Sequence, residues 1–223
     1  AGEIQRDGQS AFSAECLFGE RYRLTVTPRF ARPADDSPSP LRAPDIYTGG
    51  LLFHGPLLQS LCRMVTAGPE TFRAELRSLP ADGLFTRGSA PALLTDPVLL
   101  DGAWQAAGLH ASAVPPRLAL PMAMEAIEFY RPPPPPGRLL PVYGERTSFT
   151  PGKEMTYDLE IQDGDGHVWA RGRGWTLAIL SESAALVTSL REPTQMRLAT
   201  PVHFAGQPED IISQRFKAFP SCC

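Results

Sequence analysis

The chain has 223 residues, 43% hydrophobic and 20% charged, with a formal charge of −3, a composition that fits a globular protein with one sizeable core or one domain plus a tail. With 21 basic residues against 24 acidic ones there is no global positive field for nucleic acid. No apolar run approaches the roughly 18 residues of a transmembrane helix, and no basic-then-apolar start reads as a signal peptide. Two of the four cysteines, Cys16 and Cys62, lie in apolar runs, and Cys222 and Cys223 end the chain. Without a CxxC pair or a regular framework, neither zinc nor disulfides are expected, and buried free thiols in a reducing cytoplasm are.

In chain order, residues 1–44 read as N-terminal strands and a linker. AFSAECLF and YRLTVTP, within 11–27, are strand-like runs broken by Gly19-Glu20, and RFARPADDSPSPLRAP is a polar, Pro-rich connector. Ala1 opens the chain without Met, so it reads as a piece of something larger. Ile46 to Phe53 is a short apolar segment carrying Gly49-Gly50. Leu57, Leu58, Leu61, Met64 and Val65 then fall at helical spacing until Gly68-Pro69, which predicts a helix. Thr71 to Leu79 alternates, with Phe72, Ala74 and Leu76 on one face, as a half-buried strand does.

Asp96-Pro97 predicts a helix start, with Asp as N-cap and Pro in the first turn. The helix carries Val98, Leu99, Leu100, Ala103, Trp104, Ala107 and Leu109. Apolar nearly all round, it should be buried. Four strand candidates follow, at 117–130, 138–149, 153–162 and 167–180, separated by PPPPPG, PGK and DGDG; the last is a strong hairpin signal. They read as an antiparallel meander. Residues 181–223 lose the alternation and read as a C-terminal tail. A fully apolar helix followed by long antiparallel strands is of the α+β class, with a sheet wrapped around a central helix.

These motifs can be set against a known family. YTGGLLFHGPLLQSL resembles the GYxYGPxFQ stretch of polyketide synthase dehydratase domains, and DPVLLDGAWQAAGL resembles their HPALLDAxxH/Q stretch. LALPMAMEAIEFYRPPPPPG resembles the strand and turn that follow, and YDLEIQDGDGHVWARGRGWTL the closing hairpin. The four come in the right order across 45–180. The resemblance implies a hotdog fold, specifically the C-terminal half of a double hotdog, with residues 1–44 containing the end of a first hotdog. It also implies a soluble, cytoplasmic dehydratase that removes water from β-hydroxyacyl thioesters in polyketide or polyunsaturated-lipid biosynthesis. The partners implied are an acyl carrier protein, the other domains of a synthase or a first hotdog half, or a second copy in a homodimer. No metal or redox cofactor is expected, because the phosphopantetheine arm arrives with the substrate.

Dehydration needs a base for the α-proton and an acid for the departing hydroxyl, and a His and a carboxylic acid can supply both. The resemblance assigns the acid to Asp101. An acid of this kind must hold its proton near neutral pH, which apolar surroundings favour, so Asp101 is expected to be buried. Gln105, four residues on, shares its helix face; the resemblance implies a hydrogen bond that orients Asp101, and a polar boundary residue is the alternative. His54 stands where the family often has Tyr. A His there can donate to the substrate or replace the base, or it can simply cap the Gly-Pro turn. Tyr47, Phe53, Gly55, Pro56, Trp104 and Pro121 are the substrate-lining residues by the same resemblance. Gly55 is additionally expected to present a backbone amide ahead of a helix, and Pro121 to shape its strand.

The family's first half supplies a catalytic His in an HxxxGxxxxP motif. None of His54, His110, His167 and His203 has Gly four residues on. His110 is expected to cap the central helix, His167 to be exposed in its turn, Gln59 to be a structural hydrogen-bonder, and the three Trp to be core. Arg171 and Arg173 read as solvated strand residues, with a carrier-protein contact as the alternative. DGDG lacks the spacing of a calcium loop. Three other functions share the fold: a non-catalytic hotdog scaffold of a synthase, a product-template-type cyclisation domain and a hotdog thioesterase.

Overall fold

The computed structural model describes residues 2–6, 9–22, 26–30, 37–84, 93–112 and 118–181. Beyond Ser181, the expected tail lies outside them. Strands β1 (Gly2–Arg6) and β2 (Gln9–Ala14) form an antiparallel hairpin. The rest of AFSAECLF is irregular, and residues 23–25 of the next strand-like run lie outside the described residues. The Pro-rich connector is not all loop: β3 (Ser37–Pro38) pairs with β4 (Leu61–Ala67). Then come β5 (Thr71–Arg77), helix α1 (Pro97–Ala111), β6 (Leu118–Ala123), β7 (Ala126–Phe129), β8 (Leu139–Thr150), β9 (Glu154–Gln162) and β10 (Val168–Ser181).

The sheet order is β3-β4-β5-β8-β9-β10-β6, all antiparallel, with β7 also on β10. Helix α1 lies against β4, β5, β6 and β9. This is the expected hotdog arrangement of one long helix on an antiparallel sheet. The predicted meander holds for β8, β9 and β10. The 117–130 segment departs from it, because β6 and β7 both pair with β10.

The predicted helix over 57–65 is absent. Pro56–Leu58 makes a single 3-10 turn, and β4 follows. Its pairing with β5 shifts register between Leu61 and Arg63 and again between Met64 and Thr66. The shifts are why Leu61 and Met64 both face the core, so their three-residue spacing imitates a helix. A short π-helical turn, Pro44–Thr48, begins the apolar segment before it.

The hairpins follow their turn chemistry. Gly166 adopts φ +80 in the Asp-Gly-Asp-Gly turn, where the Asp163 amide donates to His167 O at 2.8 Å. Gly174, at φ +62, sits where β10 shifts register against β9 between Gly172 and Trp175, a conformation L side chains rarely adopt. The core comprises Phe72, Ala74 and Leu76 of β5, Leu99, Ala103 and Ala106 of α1, and Met155, Tyr157, Leu159, Trp169 and Trp175 of the long strands. Cys16 is exposed and Cys62 half-buried, against the expectation of buried thiols: Cys62 lies between two inward-facing positions of β4. No helix among the described residues is long and apolar enough to cross a membrane.

Candidate active site

Helix α1 is set by its first residue. The Asp96 carboxylate accepts from the Val98 and Leu99 amides, both at 3.0 Å, as an N-cap does. Burial pushes its carboxyl above the ordinary range, outweighing the two amide bonds. Gly102 lets the helix approach the start of β4 closely: a Cβ there would strike Ser60 Oγ and come within 3.2 Å of Leu76 Cδ2. Ser60, fully buried, donates to Val98 O at 3.1 Å.

This placement brings Asp101 and Gln105 to the two turns that precede β4. The Gln105 amide donates one hydrogen to Asp101 Oδ2 at 2.6 Å and the other to Leu58 O at 2.8 Å. Its Oε1 accepts from the Tyr47 hydroxyl at 2.6 Å. Tyr47 Oη in turn accepts from the Leu61 amide at 3.1 Å. Burial raises the Tyr47 phenol far above its ordinary value, and the Asp101 charge adds to this against the Leu61 amide, so the phenol keeps its hydrogen. His54 Nε2 lies 3.6 Å from Asp101 Oδ2, an ion-pair distance longer than a hydrogen bond. Burial holds the imidazole below its usual value, and Asp101 pulls it the other way. Among the described residues its Nδ1 is buried with no partner, and Gln59 fixes its backbone by donating to His54 O at 2.8 Å.

Asp101 differs from expectation in one respect. It is not buried: its side chain is 34% accessible, against 16% for His54. The carboxyl is therefore reachable from solvent while one of its oxygens stays bonded to Gln105.

The other sequence-selected residues spread around this centre. Phe53 is 85% exposed, and its ring stacks on His54 at 4.8 Å between centroids. Gly55 precedes only a three-residue turn, so the expected helix amide and its dipole are lacking. Pro56 opens that turn and is exposed. Trp104, half-buried, stacks on Trp175 at 4.5 Å. Pro121 is exposed on β6, at the end of the sheet, where a missing amide is tolerated.

His110 is no terminal cap. It is buried inside the fold, with Nε2 donating to Gly68 O at 2.9 Å and Nδ1 3.0 Å from the Tyr157 hydroxyl. His167 is half-exposed beside Asp163. Among the described residues, Asp163, Asp165 and His167 form a group close enough to hold a cation, but Asp163 already accepts from the Asp165 and His167 amides at 2.9 and 2.8 Å.

Arg171 is not a free strand residue. Its guanidinium grips Glu160, with Nη2 at 2.6 Å and Nε at 2.9 Å from Oε2. Glu160 is fully buried and also accepts from Gln162 at 2.8 Å and from the Arg29 amide. Glu160 lies on β9 between the core residues Leu159 and Ile161, and residues 27–30 cover it. Arg173 is exposed.

The chain is similar to several solved structures. A dehydratase from a type I polyketide synthase is 18% identical, covers 71% of this chain and 54% of its own, and superposes with a TM-score of 0.50. A trans-AT polyketide synthase dehydratase domain from Brevibacillus brevis is 19% identical over 63% of this chain and 48% of its own, with a TM-score of 0.48. A hypothetical thioesterase from Streptococcus pneumoniae, solved with coenzyme A, is 13% identical over 53% and 85%, with a TM-score of 0.42. The chain spans about half the length of these dehydratase structures. No curated protein sequence matches it. The family model described as polyketide synthase dehydratase N-terminal domain matches residues 27–186, a span that takes in the π-turn, α1 and every strand from β3 to β10, and on that match the chain belongs to the polyketide synthase dehydratase family.

Proposed function

We propose that the chain is the acid-bearing, C-terminal half of a double-hotdog dehydratase that removes water from β-hydroxyacyl thioesters held on an acyl carrier protein. The observation that carries this reading is the half-open Asp101 carboxyl, bonded to Gln105 through Oδ2 alone. With Oδ2 taken, Oδ1 is the oxygen that presents the acid hydrogen. A base takes the α-proton of the substrate, the electron pair forms the C–C double bond, and Asp101 protonates the β-hydroxyl, which leaves as water.

His54 is the imidazole beside Asp101. For Nε2 to act as base, Nδ1 must carry the ring hydrogen, and among the described residues Nδ1 has no acceptor. Nε2 faces Asp101 Oδ2 at 3.6 Å, so the favoured tautomer turns an Nε2–H toward that oxygen. We therefore assign His54 to orienting the Asp101 carboxyl from its Oδ2 side, and the α-proton to a base on an adjoining hotdog half. Strand β6 ends the sheet with Leu120 and Met122 exposed, an edge of the kind that association covers. We assign that edge to the adjoining half, or to a second copy in its place. The carrier protein's phosphopantetheine brings the acyl chain past Phe53 and Pro56, and the setting is a polyketide or polyunsaturated-lipid synthase in the cytoplasm.

The test is Asp101→Asn in the full-length protein, with a β-hydroxyacyl group loaded on carrier protein and the enoyl product measured by mass. Loss of a general acid lowers kcat about 10²–10⁴-fold. An unchanged rate, or no dehydration by the unmodified protein, sinks the enzyme reading in favour of a scaffold. A cyclised product or free acid would point to ring closure or thioester hydrolysis instead.

A further inference from the structure

We infer that Tyr47 is a positioning residue, which fixes the Asp101 carboxyl through Gln105 and does not itself contact substrate. The hydroxyl has one hydrogen to give. The Leu61 amide occupies one of its lone pairs at 3.1 Å, and its hydrogen goes to Gln105 Oε1 at 2.6 Å. Both hydrogens of the Gln105 amide are then spoken for, by Leu58 O and Asp101 Oδ2. Rotating that amide by half a turn would set Oε1 against the Leu58 carbonyl and give up its bond to Tyr47. The phenol thus selects one of two amide orientations that are nearly equal in shape. Gln105 is 4% exposed, so water cannot readily replace the lost donor. Burial of the phenol, which keeps it protonated, suits the same role.

The anchor of this relay is backbone. Leu61 is the first residue of β4 and Leu58 ends the turn before it, so the sheet itself sets where the amide points. Tyr47 comes from the π-turn, 58 residues before Gln105.

The kinetic consequence rests on the dehydratase reading, and the hydrogen-bond consequence does not. Two measurements separate them. In protein labelled with ¹⁵N-glutamine, the Gln105 side-chain amide pair, assigned by its loss in Gln105→Met, should be dispersed and slow to exchange with solvent. In Tyr47→Phe it should become averaged and exchange at least about tenfold faster, as a side chain freed from its bonds does. With a β-hydroxyacyl pantetheine thioester, Tyr47→Phe should lower kcat about 10–100-fold with KM unchanged. Gln105→Met, which leaves the Tyr47–Leu61 bond intact, should give the same loss, and the double variant no more than either. Unchanged Gln105 signals in Tyr47→Phe overturn the inference whatever the activity. So do additive losses, or a rise in KM at constant kcat, which would make Tyr47 a substrate contact. Altered Gln105 signals in a full-length protein that turns over no substrate uphold the relay and sink the dehydratase reading.

Discussion

Gly102→Ala tests how tightly α1 is seated. The residue follows Asp101 directly, and the dehydratase motif has Ala where this chain has Gly102. A Cβ here meets Ser60 Oγ well inside contact distance and Leu76 Cδ2 at 3.2 Å. Leu76 and Ser60 are both fully buried, so the hydroxyl must rotate away from Val98 O, the acceptor it reaches at 3.1 Å. A buried hydroxyl without a partner costs roughly 1–3 kcal/mol, and overpacking adds about 1 kcal/mol or more. Replacing a helical Gly returns about 1 kcal/mol. The net is a destabilisation of roughly 2 kcal/mol, or about 1 M in urea midpoint at an ordinary m-value. Ser60→Ala removes the obstructing atom, so Ser60→Ala/Gly102→Ala should recover most of the loss, with a coupling of about 1–2 kcal/mol in the double-mutant cycle. Gly102→Ala proving as stable as the unmodified protein, or the two changes adding independently, would refute the packing argument.

Asp96 gives a pH-dependent effect. Because burial raises its folded-state pKa, its contribution is fully present below the ordinary 3.8 and declines as pH climbs through the folded value. Asp96→Asn, a neutral cap, should flatten that slope in urea titrations between acid and neutral pH, while Asp96→Ala should cost about 1–2 kcal/mol. His54 runs the other way. Its folded pKa lies below the ordinary 6.5, so its contribution is present above 6.5 and lost as pH falls through the folded value. Its ring ¹H NMR midpoint should lie below 6.5 and fall further in Asp101→Asn, which removes the opposing pull of the carboxylate; a midpoint above 6.5 would contradict this. Arg171→Met strands the buried Glu160 charge and should cost about 3 kcal/mol in unfolding; a change within about 0.5 kcal/mol would mean that Gln162 and the Arg29 amide suffice.

What the sequence made legible is local. Asp96-Pro97 announces α1 through capping chemistry that acts within a single turn, and Phe72, Ala74 and Leu76 announce β5 by alternation. Leu61 and Met64 mislead because two register shifts break the alternation of β4 in a way that only its partner strand determines. The partners of β6 and β7 were unreadable for the same reason, since pairing with β10 is a long-range choice. At the site, Asp101 and Gln105 lie one helical turn apart and are visible as a motif. The third member of the chain, Tyr47, comes from a distant turn, and its bond to Gln105 has no signature in either segment. The burial of Glu160 depends in part on Arg29, which reaches it from 131 residues away and has no local signature.

The backbone anchoring of Gln105 separates two tasks within a few residues of each other. The carboxyl is tied to the Leu58 carbonyl and the Leu61 amide, groups present whatever the side chains there. The exposed Phe53 and Leu57 belong to the same loop but carry none of those bonds. Side chains at those two positions can therefore be exchanged while the Asp101 carboxyl keeps its bond to Gln105. For anyone reshaping this loop, residues 53 and 57 are the place to vary, and 47, 59 and 105 the place to leave alone.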